Sequence, residues 1–420
     1  MSKLPLIALL SVLGTAWAAS AYDAGGQAPV DLEAVRKDRS ATSKKHQLAP
    51  RISRYLAAAA KAADEGSTEE GQALLDKLNP KRLNPLERVY VYRLKGFLAY
   101  ADGEYQQAIE NFERVLEEEA LPLDAENKIR FNIGQIHASL QEWPETVAAL
   151  QRWFRYVDEP DPLAHYLMGI AYYQMGEFDK AIESTESAVE LAPEPKEAWL
   201  QLLAALHVQK EDYVNATPFL EELVTRFPKK QYWVQLSLIY GALDNYKRSL
   251  AVQQVAYLQG LLTEDRELRR LARSYLYHDM PYPAAKVLQK GIDDEAIDAD
   301  AKLYELLANS LIAAREFDRS LPPLKKAAEL SENGNLFVRL GQVHLQREEW
   351  AEAAVHLRRA IDKGGLEDPG NAQLLLGISQ YNNGRVSQAR ASFWRASKHA
   401  KTRQAATNWI THIDSEANTG

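Results

Sequence analysis

The stretch Ala171-Tyr172-Tyr173-Gln174-Met175-Gly176-Glu177-Phe178-Asp179-Lys180-Ala181-Ile182 reads as the end of one helix, a tight bend and the start of a second. Gly176 can take the positive φ that a reversal of direction requires. Phe178 and Ala181 then put one large and one small side chain on the returning helix. Working outward, Gly169 lies one turn before Tyr172, Ala188 continues the second helix, and Pro193 punctuates its end. The whole unit runs from Pro162 to Pro195, in an order that lets two antiparallel helices nest. One such pair cannot bury its own apolar face, so units of about 34 residues have to stack side by side.

The pattern recurs. The small residue of the first helix aligns at Gly96, Gly134, Gly169, Leu203, Ser237, Ala272, Ala308, Gly341 and Gly377, with gaps of 33 to 38 residues. Its counterpart in the second helix is Ala108, Thr146, Ala181, Ala216, Ser249, Ala284, Ser320, Ala353 and Ala389. Four residues further on come Phe112, Leu150, Leu220, Leu288, Leu324, Leu357 and Phe393. Gly103, Gly176 and Gly384 mark bends inside pairs; Pro193, Pro228 and Gly364-Gly365 mark ends. Leu203 in place of a small residue, one extra residue before Tyr213, and Pro281 with Pro283 predict less regular packing there.

These residues resemble the tetratricopeptide repeat family from Val89 to about Arg403, with a degenerate copy at 50–84 whose helices are Tyr55 to Ala63 and Glu69 to Leu78. The expected fold is all-α: an α-solenoid of about nine to ten helix hairpins in a right-handed superhelix, closed by a C-terminal capping helix. The expected division is 1–21 signal peptide, 22–49 flexible lead-in with a short helix at Leu32 to Lys37, 50–403 array, and 404–420 capping helix and tail. Ala406, Trp409, Ile410 and Ile413 fall at helical spacing in the cap. That Trp-bearing helix either covers the last repeat or docks a second copy.

Composition narrows the class. The chain has 420 residues, 46% hydrophobic and 26% charged, enough for a buried core along most of its length. A net charge of −8 argues against nucleic acid or an anionic membrane as ligand. Acidic runs such as Glu117-Glu118-Glu119 and Asp293-Asp294-Glu295 could attract a basic partner, but a solvated helix end or loop is the better reading. Lys3, an apolar run from Leu4 to Ala16 and small residues at Ala16-Trp17-Ala18 or Ala19-Ser20-Ala21 read as a cleaved export signal, too short to span a bilayer. With no cysteine anywhere, there is neither a disulfide framework nor an acylation site. Export together with absent thiols points to the periplasm.

A catalytic constellation is not found: no phosphate-cradling glycine loop, HExxH or GxSxG, and no metal-ligand spacing. Neither cofactor nor enzymatic activity is expected. His344 and His356 belong to one pair of helices, but Tyr172, Tyr240 and Tyr275 hold the position of His344 elsewhere, which favours packing over metal; His137 gets the same reading. The sequon at Asn215 coincides with the packing residue Ala216.

The resemblance implies a ligand groove lined by first helices, commonly taking a peptide or helix of another protein. Its positions here are Arg93, Phe97 and Tyr100; Phe131 and Gln135; Tyr166, Ile170, Tyr173 and Gln174; Leu200, His207, Val234 and Leu238; Arg266, Arg269, Arg273 and Tyr277; then Glu305, Asn309, Gln342, Gln346, Tyr381 and Asn382. Aromatic residues and arginine dominate binding hot spots through area and forked hydrogen bonding. The competing reading is structural: aromatic contacts between neighbouring helices, and arginines paired with acids such as Glu305. The Lys and Asn clamp of chaperone-binding relatives is missing, since Phe97 and Ile170 stand where amides would be needed.

A narrower likeness lies in the links between repeats: Phe227-Pro228-Lys229-Lys230-Gln231-Tyr232-Trp233, Gly260-Leu261-Leu262-Thr263, 283–292 and 363–372. These are similar to periplasmic tetratricopeptide repeat proteins accompanying TonB-type energy-transduction systems. The similarity implies an adaptor in TonB-dependent uptake, with TonB–ExbB–ExbD-type components as partners. The alternative is a scaffold for assembly of exported polysaccharide or outer-membrane proteins.

Overall fold

The computed structural model describes residues 30–419; the export-signal reading at 1–21 lies outside the described residues. All the regular structure among the described residues is helical, in two compact units divided between Phe227 and Pro228. The first unit holds α1 (Leu32–Lys45) and five pairs: α2 (Pro50–Asp64) with α3 (Thr68–Asp76), α4 (Pro85–Ala101) with α5 (Tyr105–Glu117), α6 (Leu123–Ser139) with α7 (Trp143–Phe154), α8 (Pro162–Gln174) with α9 (Phe178–Leu191), and α10 (Glu197–Gln209) with α11 (Tyr213–Arg226). The second holds α12 (Lys230–Ala242) with α13 (Tyr246–Leu258), α14 (Asp265–Tyr277) with α15 (Pro281–Asp293), α16 (Ala301–Ala313) with α17 (Phe317–Leu330), α18 (Asn335–Gln346) with α19 (Trp350–Lys363), α20 (Pro369–Asn382) with α21 (Val386–Ala396), and finally α22 (Arg403–Thr419). Each unit is thus an α-solenoid of consecutive hairpins, the architecture the period implies.

One turn closes all ten hairpins. In each, the second residue past the cap sends its N–H back to a carbonyl five residues earlier, as in Glu104 N to Ala99 O at 2.8 Å and Glu349 N to His344 O at 2.9 Å. This arrangement satisfies the carbonyls a helix end leaves open and requires a left-handed residue between them. Glycine supplies it at Gly66, Gly103, Gly176 and Gly384, but Gln141, Glu211, Asp244, Asp279, Arg315 and Glu348 adopt it with φ between 55° and 61°. Glycine-based punctuation therefore marks only four of the ten bends.

The small residues sit where the two helices of a pair cross. A Cβ on Gly96 would lie 2.5 Å from the Phe112 ring, and one on Gly377 would meet Phe393 at the same distance. Gly341 faces Leu357, Gly134 faces Leu150, and Gly169 faces Thr185 just past Ala181. Leu203, standing where the others have a small residue, is fully buried and leaves its pair intact. Pro281 and Pro283 do not interrupt their pair, contrary to expectation. They open α15, where a missing N–H costs nothing.

Two ends differ from the array. The stretch read as a flexible lead-in holds α1, fourteen residues long and capped by Asp31, which accepts from Ala34 N. It lies against α6, where Arg39 is buried beside Glu119 and Glu126, carboxylates that no periodicity connects with it. At the other end α22 buries Ala406 and Ile413, and Trp409 stacks on Phe393 at 5.2 Å. The Trp faces inward, as a cap requires, while Thr407, Asn408 and Thr411 face solvent.

Candidate functional site

In the second unit a cleft of about 610 Å³ opens beside α13 and α14. Arg266, Arg270, Arg273 and Tyr277 recur at i, i+4, i+7 and i+11 along α14 and so project from one face. Tyr246 and Ser249 of α13, with Ser274 and His278, complete the lining. The floor is polar because this hairpin departs from the repeat code. Ser249 Oγ donates to the Ser237 carbonyl at 2.7 Å, and Gln253, where most other pairs carry a large apolar residue, donates to Ser249 Oγ and accepts from Ser274 Oγ.

Of the arginines expected in the groove, Arg266 and Arg273 line this cleft with Tyr277, but Arg269 does not. Its guanidinium is tied to Asp265 and Asp300 and donates to the Asp298 carbonyl at 2.7 Å, so intramolecular pairing claims it, through these aspartates and not Glu305. Arg270 takes its place in the cleft. The i, i+4, i+7 spacing of 266, 270 and 273 was the signal available for it. Asn309, also expected in the groove, is half-buried on α16 and does not line the cleft.

The charge balance here is unusual. The acidic residues at the start of α14 are engaged elsewhere: Glu264 and Glu267 hold Lys230 at 2.6 and 2.8 Å, and Asp265 holds Arg269. Arg266, Arg270 and Arg273 make no ion pair among the described residues. Like charges at such spacing cost a helix a few tenths of a kcal/mol per pair, and no ion pair to any of the three offsets it among the described residues. Tyr277 is 68% exposed and meets Tyr246 edge-on at 5.3 Å. The Tyr246 hydroxyl donates to Asp244, which raises its pKa and fixes the ring at the rim. Three forked cations beside exposed aromatic rings can hold carboxylates and cover apolar side chains at once.

In the first unit the expected aromatic positions divide. Phe131 packs on Trp153 at 5.3 Å and Tyr166 on Trp199 at 5.6 Å, and burial raises the Tyr166 hydroxyl pKa; with half-buried Ile170 they serve contacts between helices. Phe97 and Tyr100 stay 40% and 48% exposed, and Tyr173 and Gln174 are also exposed. What sequence reasoning missed in this unit is a buried charge network. Glu126, fully buried, is held by Arg130 at 2.9 Å and by Arg39 at 3.0 Å, and Arg130 lies over the Tyr156 ring at 4.1 Å. Burial pushes the Glu126 carboxyl up against the pull of both guanidiniums. No group of three or more His, Asp or Glu able to hold a metal occurs among the described residues, and no described helix is long and apolar enough to cross a membrane.

Two family models described as tetratricopeptide repeat match the chain, one at 162–195 and the other at 94–160, 305–365 and 338–405. The Photosystem I assembly protein Ycf3 of Rippkaea orientalis is 31% identical over 137 residues, which is 32% of this chain and 75% of that protein. The chain belongs to the tetratricopeptide repeat family. Ycf3 of Synechocystis sp. is 28% identical over 135 residues, with the same shares of each chain. Among solved structures, a tetratricopeptide repeat protein from Parabacteroides merdae covers 70% of this chain and 99% of its own at 18% identity and a TM-score of 0.35. MamA from Desulfovibrio magneticus covers 40% and 94% at 23% identity and 0.31. Tetratricopeptide repeat proteins act as protein–protein interaction scaffolds, and the cleft residues lie on two helices of such an array.

Proposed function

We propose that this tetratricopeptide repeat protein is a scaffold that holds acidic segments of partner proteins in the α13–α14 cleft. The observation that carries the reading is the set of three unpaired arginines beside exposed tyrosines in a chain whose net charge is −8. An acidic, aromatic-bearing segment supplies the counter-charges this chain withholds, and Tyr277 offers it a flat apolar surface. The test is fluorescence anisotropy with a synthetic ten-residue peptide of Asp, Glu and Tyr. Binding that weakens steeply between 50 and 500 mM salt supports the reading; salt-insensitive binding, or none, sinks it.

We further propose that the scaffold works in the periplasm as an accessory of TonB-dependent outer-membrane transport. The support is the export-signal pattern at the N-terminus and the resemblance of the link sequences to those of TonB-associated periplasmic tetratricopeptide repeat proteins. A second reading, assembly of exported polysaccharide or outer-membrane proteins, is favoured by one observation: both curated relatives bear the name of an assembly protein. Crosslinking in periplasmic extract separates them. Recovery of TonB–ExbB–ExbD-type components supports the first, and recovery of outer-membrane assembly or polysaccharide-export machinery supports the second.

A further inference from the structure

We infer that the face of α6 in the first unit is an arginine-reading docking site and that α1 is its resident occupant, a strap that leaves when a partner presents a basic, arginine-bearing helix. Charge, and little apolar surface, holds α1 down. Its sequence carries Arg36, Lys37, Arg39, Lys44 and Lys45 against only two large apolar residues, Leu32 and Val35, both half-buried. None of its residues belongs to the apolar clusters of the pairs it lies against. Its attachment is ionic. Arg39 grips Glu119 with both terminal nitrogens, at 2.6 and 3.0 Å, and its Nε lies 3.0 Å from Glu126 Oε1, while Arg36 pairs with Asp158.

The receiving surface outlasts the strap. Glu126 keeps Arg130 when α1 departs, and Arg130 keeps its stacking on Tyr156. Glu119 and Asp158 are half or more exposed and are held by α1 alone among the ion pairs described, so departure returns two carboxylates to water at little loss. The central contact is also imperfect: Arg39 Nε and Glu126 Oε1 are close, yet neither completes a well-directed hydrogen bond. Alongside, a cavity of about 400 Å³ is lined by Arg36, Lys128, Phe131, Trp153 and Asp161. The strap therefore leaves unfilled room on the very face where Phe131 was expected to meet a ligand, and a longer or more apolar basic helix fills it better. The tether sits at 47–49, where Asn84 donates to the Gln47 carbonyl and Ala49 N donates to Glu87.

The experiment uses the full chain and a fluorescein-labelled peptide of residues 31–46. On the wild type the site is occupied and the peptide binds weakly. The chain carrying Arg36→Ala and Arg39→Ala lets its own strap go and should bind the peptide at least tenfold more tightly, with binding lost in 500 mM salt. A peptide with the same two substitutions should bind neither chain. Equal affinity for both chains, or no binding to the variant, overturns the proposal. Hydrogen exchange on the wild type gives an answer even if the variant misfolds. Raising salt from 50 to 500 mM should speed exchange at least tenfold in α1 while α6 to α9 stay unchanged, and an α1 whose protection ignores salt overturns it equally.

Discussion

Arginine does opposite work in the two units. In the first, Arg130 is buried and paired with the fully buried Glu126, so its charge is spent on holding the chain in place. In the second, Arg266, Arg270 and Arg273 stand in an open cleft whose neighbouring acids serve Lys230 and Arg269. A paired cation whose carboxylate is buried is a structural element, because removing either partner strands the other in a low-dielectric interior. An unpaired row of cations stabilises nothing internal, and its electrostatic cost is recovered only by a ligand. Counting arginines along a repeat cannot tell these cases apart; the location of the acids can.

The largest effect that would break this contrast is on stability. Arg130→Ala should destabilise the first unit by about 3–5 kcal/mol, since Glu126 loses its inner partner while staying buried. Thermal melting should show it, and affinity for the acidic peptide should not change. The reverse is expected of Arg266→Glu, Arg270→Glu and Arg273→Glu together: a melting temperature within error of the wild type and a loss of peptide affinity of roughly 100-fold, about 2.7 kcal/mol. If the triple variant unfolds, or if Arg130→Ala abolishes binding while remaining folded, the two sets of arginines do not divide structure from binding in this way.

Acid should strain both units alike, which sharpens the contrast by showing what is shared. Burial lowers His165 in the first unit and His356 in the second from 6.5 to about 4. Both folded values lie below the unfolded one, so the unfolded chain takes up protons first and stability falls as pH drops from 6.5 towards 4. For His165, the more buried, the loss by pH 5 is on the order of 2 kcal/mol. His165→Leu should flatten the slope of melting temperature between pH 7 and 5 for the first unit only; an unchanged slope would show that His165 is not its source.

The hairpins were legible because close packing leaves a mark in composition. Gly96, Gly341 and Gly377 admit no Cβ, and the ring or leucine that excludes it lies at a fixed offset in the next helix. The lining of the α13–α14 cleft was half legible for a related reason. Helical spacing put Arg266, Arg273 and Tyr277 on one face, but choosing Arg270 over Arg269 depended on Asp300, thirty-one residues beyond Arg269 and in the next pair. The seat of α1 was not legible at all. Its partners Glu119, Glu126 and Asp158 are 80 or more residues away, and nothing periodic links them to the N-terminal segment.

Gly169→Leu tests the packing mark itself. It should force Thr185 and the backbone at Ala181 aside at a cost of about 1–3 kcal/mol. The equivalent change at Gly241, where nothing lies within 4 Å of a Cβ, should cost far less. Equal melting temperatures for the two variants would mean that the crossing point has been misplaced.

The smallest predicted effect concerns the bends, where the two units solve one problem with different residues. Gly103 in the first unit and Arg315 in the second hold the same left-handed conformation, with φ of 79° and 61°. A side chain there costs about 1–2 kcal/mol in backbone strain, while glycine gives back roughly 0.5–1 kcal/mol through the greater freedom of the unfolded chain. The balance favours glycine by a few tenths to about 1 kcal/mol. Arg315→Gly should therefore raise the melting temperature slightly. Gly103→Ala should lower it by a similar amount, even though a Cβ at Gly103 meets nothing within 4 Å. Opposite signs at the two positions would locate the penalty in the backbone dihedral alone. A loss of stability on Arg315→Gly would mean that the Arg315 side chain contributes more than its strained backbone costs.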